Sequence, residues 1–373
     1  VNLPLNLGDH TPAPLIDTLY FNRFVMHDLA EARIGLIGGQ SSWLVASSVD
    51  TGYVTYTYGA QFIEIDIQEL IDTYKATPAA EAEMDAARFL LAKVGMTIYQ
   101  PGESGYSYSR ELLAQVVKNR YKGSLVPYDR VFAVDNEMNE EIIFAIRYKA
   151  GNLGIGAPFS TLYGPLNNGG AVVVGSPKHY NYPSDNLIAE YEAGDLRKDV
   201  TLKESYINAV GEVVDNPVQG RFCNKFIDYT MVTANDAETD FPIMRVADAM
   251  LLLAEAISEV SSGPDDEALA LINAVRGRAG LAPRTRDELN SRYAFRQALR
   301  HERRIELALE NQHWYDLLRW GIATSTVNNF LATEPLYSSY PHPVNPIEDW
   351  QCTLPIPTSV RNINPTVAQN PGY

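Results

Sequence analysis

The sequence predicts a mainly α-helical fold: a TPR-like, α-solenoid-like scaffold of helical hairpins joined to an irregular, loop-rich lobe. Three observations carry this expectation. Residues 243–319 hold three successive amphipathic segments separated by short turns bearing helix-stop and helix-start residues. Residues 151–239 show no sustained period, and Gly, Asn and Pro punctuate aromatic residues there. The tail from Thr324 to Tyr373 is similarly irregular, with Pro335, Pro341, Pro343 and Pro346.

Taken in chain order, residues 15–36 place Ile16, Tyr20, Phe24, Leu29 and Ala32 toward a core and read as a helix. Residues 38–60 are rich in Ser, Thr, Gly and Tyr. A short alternation at Val54, Tyr56 and Tyr58 suggests a loop or short hairpin. Residues 61–76 and 81–99 are expected as helices, the second with Ala87, Leu90, Leu91 and Val94 on its buried face. A further helix over 108–119 pairs with it across a Gly-containing turn. Glu140–Tyr148 reads as a strand with a β-branched centre. The block 151–239 is long for an irregular stretch in a compact domain, and such loops often carry function.

The helical block follows. Asp240 precedes it, and Pro242 suits an opening turn, where a missing N–H costs nothing. Met244, Ala247, Leu251, Ala254 and Ile257 then recur at helical spacing over 243–260. Gly263 and Pro264 end that helix. Asp265, Asp266 and Glu267 favour the N-terminus of the next, over 265–278, by complementing its dipole. Ala268, Leu271, Ile272 and Val275 form its buried stripe, and Gly280 supplies the left-handed residue that stops it. A third helix is expected over 292–319, with Trp314 and Trp320 near its end and Gly321 as its stop. Two such helices and a tight turn cannot bury their apolar faces alone, so partner helices must come from elsewhere in the chain. The expected organisation is a helical scaffold over 1–125 with a loop-rich insertion at 38–60, an irregular lobe over 126–239, a TPR-like scaffold over 240–323, and an irregular C-terminal segment over 324–373 packing with the lobe.

Composition bounds the function. At 373 residues the chain holds one large or two intertwined domains; 46% hydrophobic and 20% charged residues are ordinary for a globular protein. No apolar run approaches the ~18 residues that span a bilayer. The net charge of −16 argues against nucleic acid and against direct docking on anionic headgroups. Cys223 and Cys352 lie far apart without metal-ligand spacing, and two free thiols are expected. The opening VNLPLNLGDH has no Met, basic region or apolar run, so a mature or truncated form is expected. The 22 tyrosines suit a binding surface, because Tyr joins a flat apolar face to a hydroxyl; they suit helix packing equally well.

The chemistry-bearing patterns are modest. Glu302, Glu306 and Glu310 form one i, i+4 stripe, and Arg296, Arg300 and Arg304 another. Like charges at that spacing repel slightly, so each stripe is expected to face opposite charges on neighbouring helices. Glu310 and His313 make an E-x-x-H, but a di-iron carboxylate site needs a second such pair, and no other histidine has Glu three residues before it. His301–Glu302 lacks the second zincin histidine, because position 305 is Ile. Glycoside hydrolysis needs two carboxylates, and nothing among the 46 acidic residues singles out a pair. No catalytic residue, metal ligand or cofactor is assigned.

Several segments resemble one family. Arg245, Ala247, Asp248, Leu251, Ala254, Glu255 and Ala256 follow its R-x-A-D-x-x-L-x-x-A-E-A pattern, and Asn273, Val275, Arg276, Arg278, Ala279 and Gly280 continue it. Glu302-Arg303-Arg304, Glu306-Leu307 and Glu310, with Trp314, Asp316, Leu317, Arg319, Trp320 and Gly321, form its most specific signature. Leu354-Pro355-Ile356-Pro357 and Gln369-Asn370-Pro371-Gly372-Tyr373 resemble its C-terminus. The chain is similar on these grounds to the SusD/RagB nutrient-binding outer-membrane lipoproteins of Bacteroidetes. The family's longer N-terminal part, with signal peptide, lipidated Cys and first helical hairpin, has no counterpart in these residues.

The resemblance implies a non-enzymatic, cell-surface glycan-binding protein, with the irregular lobe holding an oligosaccharide or a peptide. It implies a SusC-like TonB-dependent transporter as partner, and membrane association through a lipid anchor that no residue present carries. Sugars stack on aromatic rings, so Tyr180 and Tyr182 around Asn181 are the expected ligand platform, with Tyr163 just upstream. Trp43 and Tyr58 are further candidates, from the insertion.

Overall fold

The computed structural model describes residues 33–37, 61–65, 81–99, 101, 104–215, 220–261, 263–334 and 345–373. The chain divides into two compact units: residues 1–78 with 347–373, and residues 79–346.

In the first unit, β1 (Arg33–Ile37) pairs in parallel with β2 (Gln61–Ile65), Arg33 opposite Gln61 and Ile37 opposite Ile65. The helices expected over 15–36 and 61–76 are therefore wrong over 33–36 and 61–65. RIGLI and QFIEI are rich in β-branched residues and find a partner in each other, which a local periodicity cannot register. The rest of both segments, and the 38–60 insertion, lie outside the described residues. The C-terminal part of this unit turns on Trp350, whose ring meets Tyr373 edge-on at 4.7 Å. Asn370 donates to the Leu354 carbonyl at 2.6 Å.

The second unit contains the helical scaffold. α1 (Glu81–Ile98) packs on α2 (Ser104–Arg120) where Gly95 admits the partner closely: a Cβ there would lie 2.4 Å from Ser109 Oγ. Ser109 Oγ donates to the Ala92 and Gly105 carbonyls at this crossing. A single turn, α3 (Tyr128–Val131), leads to β3 (Ile142–Ile146), the strand expected from EEIIFAIRY. The lobe that follows is irregular, as the lost periodicity predicts. Short helices α4 (Phe159–Tyr163), α5 (Asp185–Ile188) and α6 (Arg197–Thr201) alternate with two-residue strands β4 (Leu202–Lys203), β5 (Tyr206–Ile207), β6 (Val213–Val214) and β7 (Phe222–Cys223). Phe159, Phe226 and Phe241 pack at 4.9–5.9 Å between ring centres and hold the lobe together.

Phe241–Arg245 is a strand, β8, antiparallel to β3, rather than the start of a helix. Its partner lies about a hundred residues upstream, and the register shifts along the pair suit Pro242, which has no N–H to give. α7 (Val246–Val260) begins when the Val246 N–H reaches the Glu141 carbonyl at 2.9 Å. This helix packs against α2, α8 (Asp266–Arg278) and α9 (Arg292–Glu306), and is buried on every side from Val246 to Glu259. Its polar residues are tolerated there because each acid is paired. Asp248 accepts from Lys93 and Arg303, Glu255 from Arg319 and Trp320, and Glu259 from Arg296. Asp265 caps α8 by accepting from the Ala268 N–H, and Gly280 ends it at φ +78°, both as expected.

The long third helix is two helices. α9 stops at Glu306, and α10 (His313–Arg319) starts after a turn in which Leu309 and Asn311 adopt positive φ. The helical pattern runs through the break, but distant donors capture the carbonyls it frees. Tyr128 Oη and Arg245 Nη2 donate to the Glu306 carbonyl, and Lys225 Nζ to that of Ala308. α11 (Ala323–Thr333) then packs on α10. No helix among the described residues is long and apolar enough to cross a membrane.

Candidate functional site

The two charged stripes of α9 separate structure from site. Glu306 sits among three guanidinium groups: Arg278 at 2.5 Å, Arg245 at 3.1 Å and Arg197 at 3.2 Å. Burial would raise its carboxyl, but Arg278, Arg245 and Arg197 outweigh burial and hold it well below the carboxylate range. Glu302 meets Arg197 and Arg276, and Glu310 meets Arg245 and Lys225. On the other stripe Arg296 pairs with Glu259, Arg304 with Glu190, and Arg300 stacks on the Trp320 ring at 4.8 Å. This is the ion-pair network expected from the spacing. It engages Glu310 fully, away from His313.

The break after α9 opens a cleft of about 550 Å³, within the ~300–1,000 Å³ typical of small-molecule sites. Three elements form its walls. The first is segment 181–190, where Ser184 caps α5 by accepting from the Leu187 N–H. Buried Glu334 accepts from the remaining Asp185 and Asn186 N–H groups, both at 3.1 Å. The second is the 307–312 turn with the start of α10, and the third is α11. Leu187, Leu309, Trp314 and Phe330 supply apolar surface. Asn181, Asn311, Asn329 and Thr326 supply amides and a hydroxyl. Asn181, Leu309 and Asn311 all hold positive φ, at 57°, 66° and 60°. Asn adopts this backbone readily, whereas Leu309 holds it only because its surroundings dictate it. Among the described lining residues Glu190 is the single carboxylate; it accepts from Arg304 and from His301 Nδ1.

The expected ligand residues fall in different places. Tyr180 is 58% exposed and tethered through its N–H to the Leu162 carbonyl at 2.8 Å. Tyr182 is half-buried and stacks on His179 at 5.0 Å. Asn181, between them, lines the cleft. Tyr163 is half-buried and stacks on Phe159, in the aromatic cluster of the lobe; burial pushes its hydroxyl up. Trp43 and Tyr58 lie outside the described residues. Helical spacing marks Trp314 and Arg304 as scaffold, and Phe330 falls in the tail expected to be irregular, where the structure instead forms α11. Asn311, a poor helix former inside a helical pattern, was the one available signal of the break.

The fold is a helical-hairpin scaffold with a loop-rich lobe, and the cleft lies between them. Residues 198–373 match the SusD family model. SusD-like protein P2 of Formosa agariphila is 31% identical over 209 residues, covering 51% of this chain and 40% of that protein. A SusD superfamily protein from Parabacteroides distasonis superposes with a TM-score of 0.66 at 20% identity, over 86% of this chain and 69% of that one. A laminarin-binding SusD-like protein gives 0.61 at 24% identity, over 82% and 68%. The chain is similar to SusD-like proteins and shares the helical-hairpin fold of these structures. It spans less than half the length of the Formosa relative.

Proposed function

We propose that the protein binds oligosaccharides at the outer-membrane surface, held there by a lipid anchor, and delivers them to a SusC-like TonB-dependent transporter. The observation that carries binding is the cleft: apolar rings and side chains flanked by amides and a hydroxyl. A sugar ring offers the complementary pattern, with flat C–H faces and a rim of hydroxyls. Tyr180 and Tyr182 flank the lining residue Asn181, and the proposed ligand surface extends to them. The laminarin-binding relative supports a glycan as the ligand class. The cleft's lone carboxylate, Glu190, argues for retention over hydrolysis, which takes two. Calorimetry of the purified protein against a panel of oligosaccharides tests binding, with chromatography of the same mixtures testing cleavage. Binding with intact oligosaccharides is expected; shortened products overturn the reading. Delivery is tested by purification from native membranes in mild detergent. A co-purifying β-barrel is expected, and a monomer alone sinks that part.

A further inference from the structure

The charges around the cleft cancel one another, which narrows the ligand. Arg304 donates through Nη1 to Glu190 Oε1 and through Nη2 to Asn186 Oδ1. The second oxygen of Glu190 accepts from His301 Nδ1 at 2.7 Å. Both side chains are mostly buried, Arg304 at 21% exposure and Glu190 at 27%. The guanidinium charge is therefore paired with the Glu190 carboxylate. His313, the other lining group that could carry positive charge, is held below the ordinary histidine range by burial and by Arg304, with Asp316 and Glu190 opposing and Arg303 adding to the effect. Glu334 is occupied by two backbone N–H groups. The remaining polar groups are neutral: Asn181, Asn311, Asn329 and Thr326.

Resting on the binding reading above, we propose that this cleft selects uncharged oligosaccharides and discriminates against those bearing carboxylate or sulfate groups. An acidic sugar would lose water from its charge beside Glu190, and no unpaired cation among the described lining residues offsets that loss. The penalty is expected to be on the order of tenfold or more in affinity.

The test is calorimetry on the whole chain with neutral gluco- and manno-oligosaccharides against oligogalacturonates of matched length. Neutral members alone should bind, with affinity insensitive to salt. Two variants add a free cation: Glu190→Gln, which releases Arg304, and Asn329→Lys at an exposed lining position. At least the lysine variant, which disturbs no buried pair, should gain salt-sensitive oligogalacturonate binding. Oligogalacturonate binding by the unmodified protein as tight as neutral binding overturns the selectivity but leaves the binding function standing. Neutral binding that persists while the folded Asn329→Lys variant gains nothing also overturns the selectivity, because the added charge then lies outside the site. Failure of both sugar classes overturns the binding reading itself.

Discussion

Arg245 and Glu310 meet in a buried bidentate pair, Nε to Oε2 and Nη2 to Oε1, both at 2.8 Å. Arg245 closes β8 immediately before the central helix, and Glu310 sits in the turn that shapes the cleft. The pair therefore ties the scaffold's most buried helix to the binding surface. Lys225 adds a third contact, to Glu310 Oε1 at 2.8 Å. Removing the Glu310 charge leaves buried Lys225 without its carboxylate, and loss of one partner of a buried pair typically costs about 3–5 kcal/mol. Glu310→Gln is expected to lose about that much in urea unfolding, and to weaken cleft binding as the 307–312 turn loosens. Stability within 0.5 kcal/mol of the unmodified protein, roughly the level of an exposed pair, rejects this coupling.

Acid should unfold the scaffold. Burial opposes ionisation of Glu306, Asp248 and Asp316, but their arginine and lysine partners outweigh it and depress all three carboxyls. Carboxyls of the unfolded chain titrate near ~4. A group depressed in the native state contributes stability above that value and loses it as pH falls toward the native one. Glu141 and Glu137 act in the opposite sense, since burial raises their carboxyls, while Glu190 and Glu192 join the depressed groups. Urea midpoints should hold steady from about pH 7 to 5 and fall steeply below about pH 4. A midpoint unchanged at pH 3 contradicts the network's role.

Leu251 is fully buried in α7. Leu251→Asp places an unpaired carboxylate there, at a cost of several kcal/mol. A fall in melting temperature of roughly 10 °C or more is expected. An unchanged melting temperature would show this face to be exposed and the hairpin packing wrong.

Trp314→Ala and the Tyr180→Ala, Tyr182→Ala double variant probe the proposed ligand surface. Loss of a stacking ring typically costs about 1–3 kcal/mol, by analogy with base stacking. Each variant should weaken binding of a neutral oligosaccharide roughly tenfold in calorimetry while circular dichroism stays native. Unchanged affinity for Trp314→Ala removes the cleft from consideration; unchanged affinity for the double variant removes only its tyrosine extension.

Cys223 is buried, whereas Cys352 keeps part of its surface exposed. Burial pushes the Cys223 thiol up to about 12, so almost none is thiolate at neutral pH. Iodoacetamide on the native protein should label Cys352 and spare Cys223, as read by peptide mass spectrometry. Equal labelling would mean that the β4–β7 pair opens readily.

Local pattern alone determined the helices around residues 81–120, 246–260, 266–278 and 292–306, the Asp265 cap and the Gly280 stop. These depend on neighbours within a few positions, and a period of 3.6 is written directly into the chain. The two charged stripes of α9 were legible for the same reason, and so was the need for opposite charges opposite them. Which charges those are was not legible, because Arg197, Arg245 and Arg278 arrive from three separate segments. Only the tertiary structure decided that 241–245 is a strand, since its partner is β3. Only it decided that the helix breaks after Glu306, since Tyr128, Arg245 and Lys225 reward the break with donors. The cleft follows from that break. Its walls come from residues 181–190, 304–317 and 326–330, and no local rule could place Asn181 beside Trp314 before long-range hydrogen bonds and ion pairs had set the turn between them.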